Sequence, residues 1–208
     1  IHDLAARRTS RLDDEGNDNS SLMKPQKVYA ELRKVMPRDA IIALDAGLAP
    51  NYGQDRLNYY EPKSLITSLD LGGLGFSFPA AIGAKFAAPD RPVINFNGDG
   101  GFLFNAQEFS TAVQYNLPLV TVIMNNGIWG SEKAYQRYAF DERYVGADVV
   151  NPRYDKYAEI FGGAGFYVER PEDIGNALIE ALNCGKPSII EIPTDPDEMP
   201  RPARLNEV

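Results

Sequence analysis

The sequence has very little of the two side chains that carry much of enzyme chemistry. Of its 208 residues one is a cysteine, Cys184, and one is a histidine, His2. A single cysteine excludes an internal disulfide, so a reducing cytoplasm is the simplest location for the protein. A single histidine in a polar N-terminal segment excludes a Ser-His-Asp triad, a Cys-His pair and a metal site built from several histidines.

Basic residues and long apolar runs are also scarce. Lys and Arg total 21 against 29 Asp and Glu, which gives a net charge of -8 at pH 7. This balance opposes a nucleic-acid partner, because neutralising phosphates requires a basic surface. No apolar run reaches the roughly 18 residues of a membrane span, so we expect no membrane partner either. The sequence also lacks G-x-x-x-x-G-K-[ST], and "GGLGFSF" lacks the spacing of a dinucleotide fingerprint.

One folded domain between two tails is expected from the length and the composition along the chain. Residues 1–22 are charged and rich in Asn, Ser and Asp, which predicts a linker or disordered tail. The domain is placed at residues 23–195 and a second tail at 196–208. The first residue is Ile, and no secretory signal follows it, so we expect a piece of a longer protein.

Within the domain, short apolar runs alternate with helical patterns. The spacing predicts strands at 40–44, 64–68, 92–96, 117–124, 165–170 and 187–192, and helices at 24–36, 76–88, 105–115, 131–140, 154–162 and 171–182. Asn105 and Glu108 match a variant capping box at the start of the third helix. The alternation predicts an α/β fold: a doubly wound, mostly parallel sheet with helices on both faces.

Two polar turns follow two of these strands. "NGDGGFLF" follows "PVINF", and "NNGIWG" follows "LPLVTVIM". Because the strands of a parallel strand-helix-strand unit end at the same edge, we expect Asp99 and Asn126 to face each other where such sheets bind ligands. The Asp99 carboxylate, the Asn126 amide and the carbonyl of Ile128 are hard oxygen donors that suit Mg²⁺ or Ca²⁺. Mg²⁺ is usually held by few protein groups and a ligand's phosphates, so a diphosphate is the expected companion.

The glycines of the first turn support this interpretation. Gly98, Gly100 and Gly101 allow the backbone to approach a ligand, and the helix after Asn105 is expected to lend N–H groups. Each turn by itself is common turn chemistry, and only their pairing favours a site. Because the turn is expected to be exposed, replacing Asp99 should leave the fold intact.

Longer stretches around these turns resemble a known family. "GDGGFLFNAQEFSTAVQYNLPLVTVIMNN" resembles the thiamine diphosphate binding motif, a Gly-Asp-Gly followed about two dozen residues later by Asn-Asn. "GGLGFSFPAAIGAKFAAPDRPVI" is similar to the preceding segment of acetolactate synthases, benzoylformate decarboxylases and their relatives. The resemblance runs from about residue 24 to residue 193. It implies the C-terminal, diphosphate-binding domain of such an enzyme, with thiamine diphosphate and Mg²⁺ as cofactors.

The resemblance also assigns roles to individual residues. It implies that Asp99 and Asn126 ligate Mg²⁺ by their side chains, with the carbonyl of Ile128 as a third protein ligand. Gly98, Gly100 and Gly101 would lie against the diphosphate, and Gly100 and Gly101 would present N–H groups to it.

Three further segments are matched less closely. Leu74, next to Gly73 in "GGLGF", matches the apolar residue that supports the bent cofactor, with an ordinary core leucine as the alternative. Residues 45–49 match a loop that touches the diphosphate. Trp129 falls in a substrate-proximal segment, although an aromatic there is equally explained by packing.

For activity, the resemblance implies a 2-oxo acid decarboxylase and carboligase of the acetolactate synthase type. Its partners would be a small 2-oxo acid or related carbonyl substrate and an N-terminal pyrimidine-binding domain, normally of a neighbouring subunit in a homo-oligomer. That domain supplies the catalytic glutamate, so no catalytic residue is assigned here. Sulfoacetaldehyde acetyltransferase, benzoylformate decarboxylase, 2-hydroxyacyl-CoA lyase and a non-catalytic nucleotide-binding module remain as alternatives.

Overall fold

A six-stranded sheet, parallel at every pairing, forms the centre of the computed structural model, which describes residues 2–68, 71–199 and 201–202. The strands are β1 Ile41–Leu44, β2 Leu65–Thr67, β3 Val93–Gly98, β4 Val120–Asn125, β5 Ala164–Tyr167 and β6 Ser188–Pro193. Their order across the sheet is β2-β1-β3-β4-β6-β5. This confirms the predicted α/β fold.

Helices cover both faces of the sheet. They are α1 His2–Gly16, α2 Pro25–Val35, α3 Leu48–Asn51, α4 Gly53–Arg56, α5 Ser77–Ala87, α6 Asp99–Leu103, α7 Phe109–Gln114, α8 Gly130–Ala139, α9 Tyr154–Ile160 and α10 Pro171–Asn183. The long predicted helices are confirmed within a few residues. Proline stands at the first position of α2 and of α10, where its missing N–H costs nothing.

Alternation along the strands divides the interior into two cores. Ile42 and Leu44 of β1 join the core that includes α2 and α10, whereas Ile41 and Ala43 join the core that includes α5, α7 and α9. Every residue of β1 is therefore buried, which is why the strand is a continuous apolar run.

The strand order reverses direction beside β1. The chain passes from β1 to β2 on one side, and then crosses to β3 on the other side of β1. In such sheets the crevice at the carboxyl ends of the strands beside the reversal is the usual ligand site. Here the loops after β1 and β3 border that crevice.

The N-terminal segment differs from the prediction. Residues 2–16 form helix α1, where the composition predicted a linker without regular structure. Leu12 is 4% exposed, and Arg56 of α4 forms a forked ion pair with Glu15 at 2.8 and 2.9 Å. A few contacts thus dock a mostly polar helix against the domain. The amino-acid composition of residues 1–22 does not reveal these contacts. At the other end Met199, in the predicted C-terminal tail, is buried against Ile128 and Ala134.

The glycine-rich segment after β3 also differs. It forms the short helix α6 rather than a turn, because the fully buried Phe102 anchors it against Phe78 and Tyr154. The predicted capping box is wrong. The Nδ2 of Asn105 donates to the carbonyl of Gly75 at 2.8 Å, and Glu108 accepts from the hydroxyl of Thr111.

Helices long and apolar enough to cross a membrane are not found among the residues that the structure describes.

Candidate functional site

A cavity of about 490 Å³ opens at the carboxyl edge of the sheet. Its walls come from residues 46–51 after β1, residues 98–101 after β3 and several residues between 126 and 135 after β4. The predicted cofactor residues that line it are Leu74, Gly98, Asp99, Gly100, Gly101, Asn126 and Ile128. Gly73 does not line the cavity, although its neighbours Gly72 and Leu74 do.

Asp99 occupies the first position of α6 and is 2% exposed. Its Oδ2 accepts a hydrogen bond from the Nδ2 of Asn151 at 2.6 Å. Burial raises the pKa of Asp99 above its ordinary value of 3.8. The Asn151 amide and the nearby backbone N–H groups of Asn126 and Gly127 lower the pKa, but the effect of burial is larger. The expectation of an exposed turn is therefore wrong, because this carboxylate is buried and bonded.

The two successive asparagines after β4 face different surroundings. Asn125 donates to the Oε1 of Glu191 at 2.8 Å and accepts at its Oδ1 from Asn151 at 2.9 Å. Asn126 lines the cavity, and its Oδ1 meets only a long contact of 3.4 Å from the N–H of Ile128. The amide oxygen that can serve a ligand is therefore that of Asn126.

The backbone carbonyl of Ile128 also accepts no hydrogen bond within the described part of the chain. Ile128 forms an antiparallel bridge with Asp148, but the hydrogen bonds of that bridge come from the N–H groups of Trp129 and Val149. The pair is thus of the non-hydrogen-bonded kind, which uses neither residue's own carbonyl. Three residues that each carry a hard oxygen, Asp99, Asn126 and Ile128, consequently line one cavity.

Gly98, at the end of β3, and Gly100 and Gly101 of α6 have different surroundings. A Cβ on Gly100 would lie 2.6 Å from the ring of Trp129, and a Cβ on Gly101 would lie 2.6 Å from the Oδ2 of Asp45. A Cβ on Gly98 would meet nothing within 4 Å, because that position faces the cavity. Gly100 and Gly101 therefore permit close packing within the protein, and Gly98 leaves space that a ligand can fill.

Free backbone N–H groups at the site come from α6. Gly100 and Gly101 lie in its first turn, where N–H groups have no partner within a helix. The prediction that the helix after Asn105 supplies them is wrong, because α7 begins at Phe109 and does not line the cavity.

Asp45 has a structural position at the base of the site. It is fully buried and accepts hydrogen bonds from the N–H of Gly75 at 3.0 Å, the N–H of Ser77 at 3.4 Å and the Nδ2 of Asn97 at 2.7 Å. Burial raises its pKa, and these donors lower it. Of the predicted loop 45–49, residues 46–49 line the cavity, whereas the Asp45 carboxylate holds the start of α5.

Two apolar side chains shape the cavity wall. Leu74 is half-buried and lines the cavity, so the alternative of an ordinary core leucine is not what the structure shows. Trp129 also lines it, and its ring contacts Phe104 edge-on at a centroid distance of 5.9 Å. Trp129 therefore packs against Phe104 and also borders the cavity, and its proximity to a substrate stays a prediction.

Three polar residues next to the site were not predicted from the sequence: Asn151, Tyr154 and Glu191. Asn151 lies 52 residues from Asp99 along the chain, and Tyr154 lies 55 residues from it. Glu191 is 1% exposed within β6 and accepts at its Oε2 from the N–H of Tyr154 at 2.8 Å. A charged residue inside the apolar run "PSIIEI" was the one available signal.

The oxygen donors of Asp99, Asn126 and Ile128 favour a hard metal ion that also binds ligands from outside the protein. Groups of three or more His, Cys, Asp or Glu side chains able to hold a metal do not occur in the described parts of the chain. One carboxylate, one amide and one carbonyl form half of an octahedral shell, which suits Mg²⁺ completed by phosphate oxygens and water. The residues present thus fit a metal-bridged diphosphate.

Comparisons with known proteins point to the same chemistry. The family model described as "Thiamine pyrophosphate enzyme, C-terminal TPP binding domain" matches residues 45–192. A sulfoacetaldehyde acetyltransferase from Castellaniella defragrans is 31% identical over 208 residues, covering 94% of this chain and 35% of the relative. A probable acetolactate synthase large subunit from Methanococcus aeolicus is 35% identical over 196 residues, covering 89% of this chain and 33% of the relative.

Solved structures agree. A thiamine diphosphate-dependent 4-hydroxybenzoylformate decarboxylase from Rhodococcus jostii RHA1 superimposes with a TM-score of 0.80 at 31% identity, covering 87% of this chain and 34% of that one. The chain therefore spans about a third of the length of the proteins it matches.

Proposed function

The chain belongs to the thiamine pyrophosphate enzymes as their C-terminal cofactor-binding domain, and from this premise we propose that it binds thiamine diphosphate through a Mg²⁺ ion at the cavity beside β3 and β4. Asp99 and Asn126 hold the metal by their side-chain oxygens, and Ile128 holds it by its carbonyl. The observation that carries the proposal is that these three residues line one cavity, next to the open space at Gly98.

The remaining residues of the cavity bind and orient the cofactor. Gly100 and Gly101 would offer N–H groups to the diphosphate, and Leu74 would pack against the cofactor from the cavity wall. Leu74 and Trp129 also exclude water from the apolar side of the cavity. When bound, the cofactor supplies the nucleophilic carbon and the electron sink that decarboxylation and carboligation need.

The proposal extends to a partner that completes the site. A pyrimidine-binding domain, from an N-terminal part of the protein or a neighbouring subunit of a homo-oligomer, supplies the catalytic glutamate. Glu132 lines the cavity but is exposed on α8, and it does not take that role. The chain by itself is therefore expected to bind cofactor weakly and to catalyse little.

Among the family's activities, we propose a 2-oxo acid decarboxylase and carboligase of the acetolactate synthase type. A 2-oxo acid loses its carboxylate as CO₂, whereas sulfoacetaldehyde has no carboxylate to lose. When this chain is supplied with its pyrimidine-binding partner, release of CO₂ from 2-oxo acids supports the decarboxylase. Turnover of sulfoacetaldehyde without CO₂ assigns the chain to the acetyltransferases instead. The location in a reducing cytoplasm stays a prediction from the single cysteine.

Calorimetric titration tests cofactor binding directly. The chain is titrated with thiamine diphosphate with and without Mg²⁺, and separately with ATP and with NAD. We expect heat only from the thiamine compound with Mg²⁺ present. Binding of ATP with none of thiamine diphosphate would instead identify a nucleotide-binding module.

A pair of variants with equal charge change locates the binding site. Asp99→Asn removes the negative charge of the proposed metal ligand, and Asp173→Asn removes a carboxylate on α10 that pairs with Arg170 at 2.7 Å, outside the cavity. The first variant should abolish the metal-dependent heat, and the second should leave it unchanged. Equal heats from the two variants would contradict the assignment of Asp99.

A further inference from the structure

A chain of polar side chains runs from the cavity into the sheet. It begins at the Asp99 carboxylate, passes through the amides of Asn151 and Asn125, and ends at the Glu191 carboxylate. The three hydrogen bonds measure 2.6, 2.9 and 2.8 Å in that order. The residues come from α6, the segment before α9, β4 and β6, so the chain of bonds ties together parts that are distant in sequence.

Asn151 is fully committed within this chain of bonds. Its two amide hydrogens are used by the Oδ2 of Asp99 and the Oδ1 of Asn125, and its own Oδ1 accepts from the hydroxyl of Tyr154 at 2.8 Å. An amide with both donors and its acceptor engaged has one orientation. The direction from which Asn151 approaches Asp99 is therefore fixed.

The groups that hold Asn151 are themselves held firmly. Tyr154 is fully buried, its ring lies edge-on to Phe102, and its hydroxyl also lies 2.9 Å from the carbonyl of Asp99. Glu191 is 1% exposed, and its Oε2 accepts from the backbone N–H of Tyr154. Because the Tyr154 hydroxyl has one proton, the Oδ1 of Asn151 and the carbonyl of Asp99 share it, and both lie within hydrogen-bond distance of the hydroxyl.

The chemical type of Asn151 suits a cation site. An amide restrains a carboxylate by hydrogen bonding without bringing positive charge, whereas Lys or Arg in this place would repel a metal ion. It also leaves Oδ1 of Asp99 without a side-chain donor among the described residues. Asn151 thus restrains the Oδ2 of Asp99, and no side-chain donor in the described part of the chain competes with a ligand for Oδ1.

We propose that Asn151 is a positioning residue for Asp99, holding the carboxylate in the rotamer that binds Mg²⁺. This inference rests on the proposed function of Asp99 as a metal ligand. Groups that hydrogen-bond to a metal ligand commonly contribute 10- to 100-fold to metal affinity. Without Asn151 the affinity for Mg²⁺ should fall more than the affinity for Ca²⁺, because Mg²⁺ demands near-ideal octahedral geometry and Ca²⁺ accepts a looser arrangement.

The test compares Asn151→Ala with a matched control, Gln26→Ala. Gln26 donates from its amide to the carboxylate of Glu198 at 2.7 Å and does not line the cavity, so both variants lose an amide-to-carboxylate bond. With saturating thiamine diphosphate, each chain is titrated with MgCl₂ and with CaCl₂. Fluorescence of Trp129, the single tryptophan, is the readout because its ring lies against Gly100. MnCl₂ binding followed by electron paramagnetic resonance gives an independent affinity.

For Asn151→Ala we expect Mg²⁺ and Mn²⁺ affinities about 10- to 100-fold weaker than in the parent, with a smaller loss for Ca²⁺. Gln26→Ala should stay within twofold of the parent. Equal losses for Mg²⁺ and Ca²⁺, or a Mg²⁺ affinity within twofold of the parent, would overturn the inference. Absence of metal-dependent binding in the parent itself would overturn the proposed function instead.

A second variant keeps the test decisive if Asn151→Ala does not fold. Tyr154→Phe retains the ring that packs on Phe102 and removes the hydroxyl, which holds Asn151 and also lies 2.9 Å from the carbonyl of Asp99. A severalfold loss of Mg²⁺ affinity, with a smaller loss for Ca²⁺, supports the positioning role. Unchanged Mg²⁺ affinity in a folded Tyr154→Phe chain counts against it.

Discussion

Asp45 and Asp99 are buried carboxylates in neighbouring segments at the carboxyl edge of the sheet. Neither has a cationic partner among the described residues. Asp45 is fully buried and Asp99 is 2% exposed, and burial raises the pKa of both. Asp45 is enclosed by three hydrogen-bond donors from the protein. Asp99 borders a cavity, where a metal ion can offset its charge. One aspartate thus stabilises the fold through its hydrogen bonds, and the other is the proposed metal ligand.

The raised pKa of Asp45 leads to a pH prediction. Because folding favours its protonated form, its contribution to stability is fully present below the ordinary pKa of 3.8 and is lost as pH rises through the raised value. Asp45→Asn has no proton to lose, and its changed hydrogen bonding adds only a pH-independent offset. Urea unfolding from pH 3.5 to 7 should show the parent losing stability relative to the variant as pH rises. A difference that is constant or grows with pH would contradict this.

Two glycines of the same motif should respond differently to substitution by alanine, one in stability and the other in cofactor binding. Gly101→Ala brings a methyl group within 2.6 Å of the Asp45 Oδ2, which its hydrogen bonds hold in place, so we expect a loss of about 1–3 kcal/mol in the free energy of unfolding. Gly98→Ala meets nothing within 4 Å and should stay within about 0.5 kcal/mol of the parent. Because its methyl group enters the cavity, Gly98→Ala should instead weaken cofactor binding. Calorimetry and denaturant unfolding separate the two effects.

Residues that end a strand could be predicted from the sequence, and residues that support them could not. Asp99, Asn126 and Ile128 each follow an apolar run, so their shared edge follows from the geometry of parallel strands. Asn151 lies in a loop with no periodic pattern. It reaches Asp99 only because β6 lies between β4 and β5, an order that local sequence does not encode.

At the scale of elements, prediction succeeded where the apolar period was strong. The helices α2 and α10 and the strands β1, β3, β4 and β6 were predicted from spacing, because each carries buried apolar residues. The edge strands β2 and β5 were predicted as well, although none of their residues is fully buried. The helices α1, α3, α4 and α6 were missed. Three of these are four or five residues long, and α1 is mostly polar and docks through Leu12 and ion pairs.

The contact between α9 and β5 is tight enough to test. A Cβ on Gly165 of β5 would lie 2.0 Å from the carbonyl oxygen of Asp155 in α9, and backbone cannot move aside as a side chain can. Gly165→Ala should therefore cost about 1–3 kcal/mol in the free energy of unfolding, or more. Because α9 carries Tyr154, Mg²⁺ affinity should fall as well.

A glycine-to-alanine substitution in α10 should instead increase stability. A Cβ on Gly175 would lie 3.5 Å from the side chain of Val35, which is ordinary van der Waals contact. Since glycine inside a helix is about 1 kcal/mol less favourable than alanine, Gly175→Ala should raise the free energy of unfolding by about 0.5–1 kcal/mol. Denaturant unfolding of both variants measures the contrast, and a destabilised Gly175→Ala would contradict the packing described.

At the scale of the whole molecule, sheet order and net charge together set the conditions for binding. The reversal beside β1 opens the crevice, and the loops after β1, β3 and β4 line it. The chain carries a net charge of -8, and a diphosphate is also anionic. Electrostatic repulsion therefore opposes the encounter unless a divalent cation offsets it.

Thermal unfolding should consequently reveal a joint requirement for metal and cofactor. A ligand that binds only the folded state at 100 times its Kd adds about 2.7 kcal/mol to the free energy of unfolding. For a chain of this length that corresponds to a rise of about 5–10 °C in Tm. We expect this rise with thiamine diphosphate and Mg²⁺ together, and little change with either alone or with thiamine and Mg²⁺. Chelation with EDTA should reverse it, and Asp99→Asn should lack it while Asp173→Asn retains it. An equal rise with thiamine diphosphate in the absence of metal would show that the oxygens of Asp99, Asn126 and Ile128 do not bridge the diphosphate through a cation.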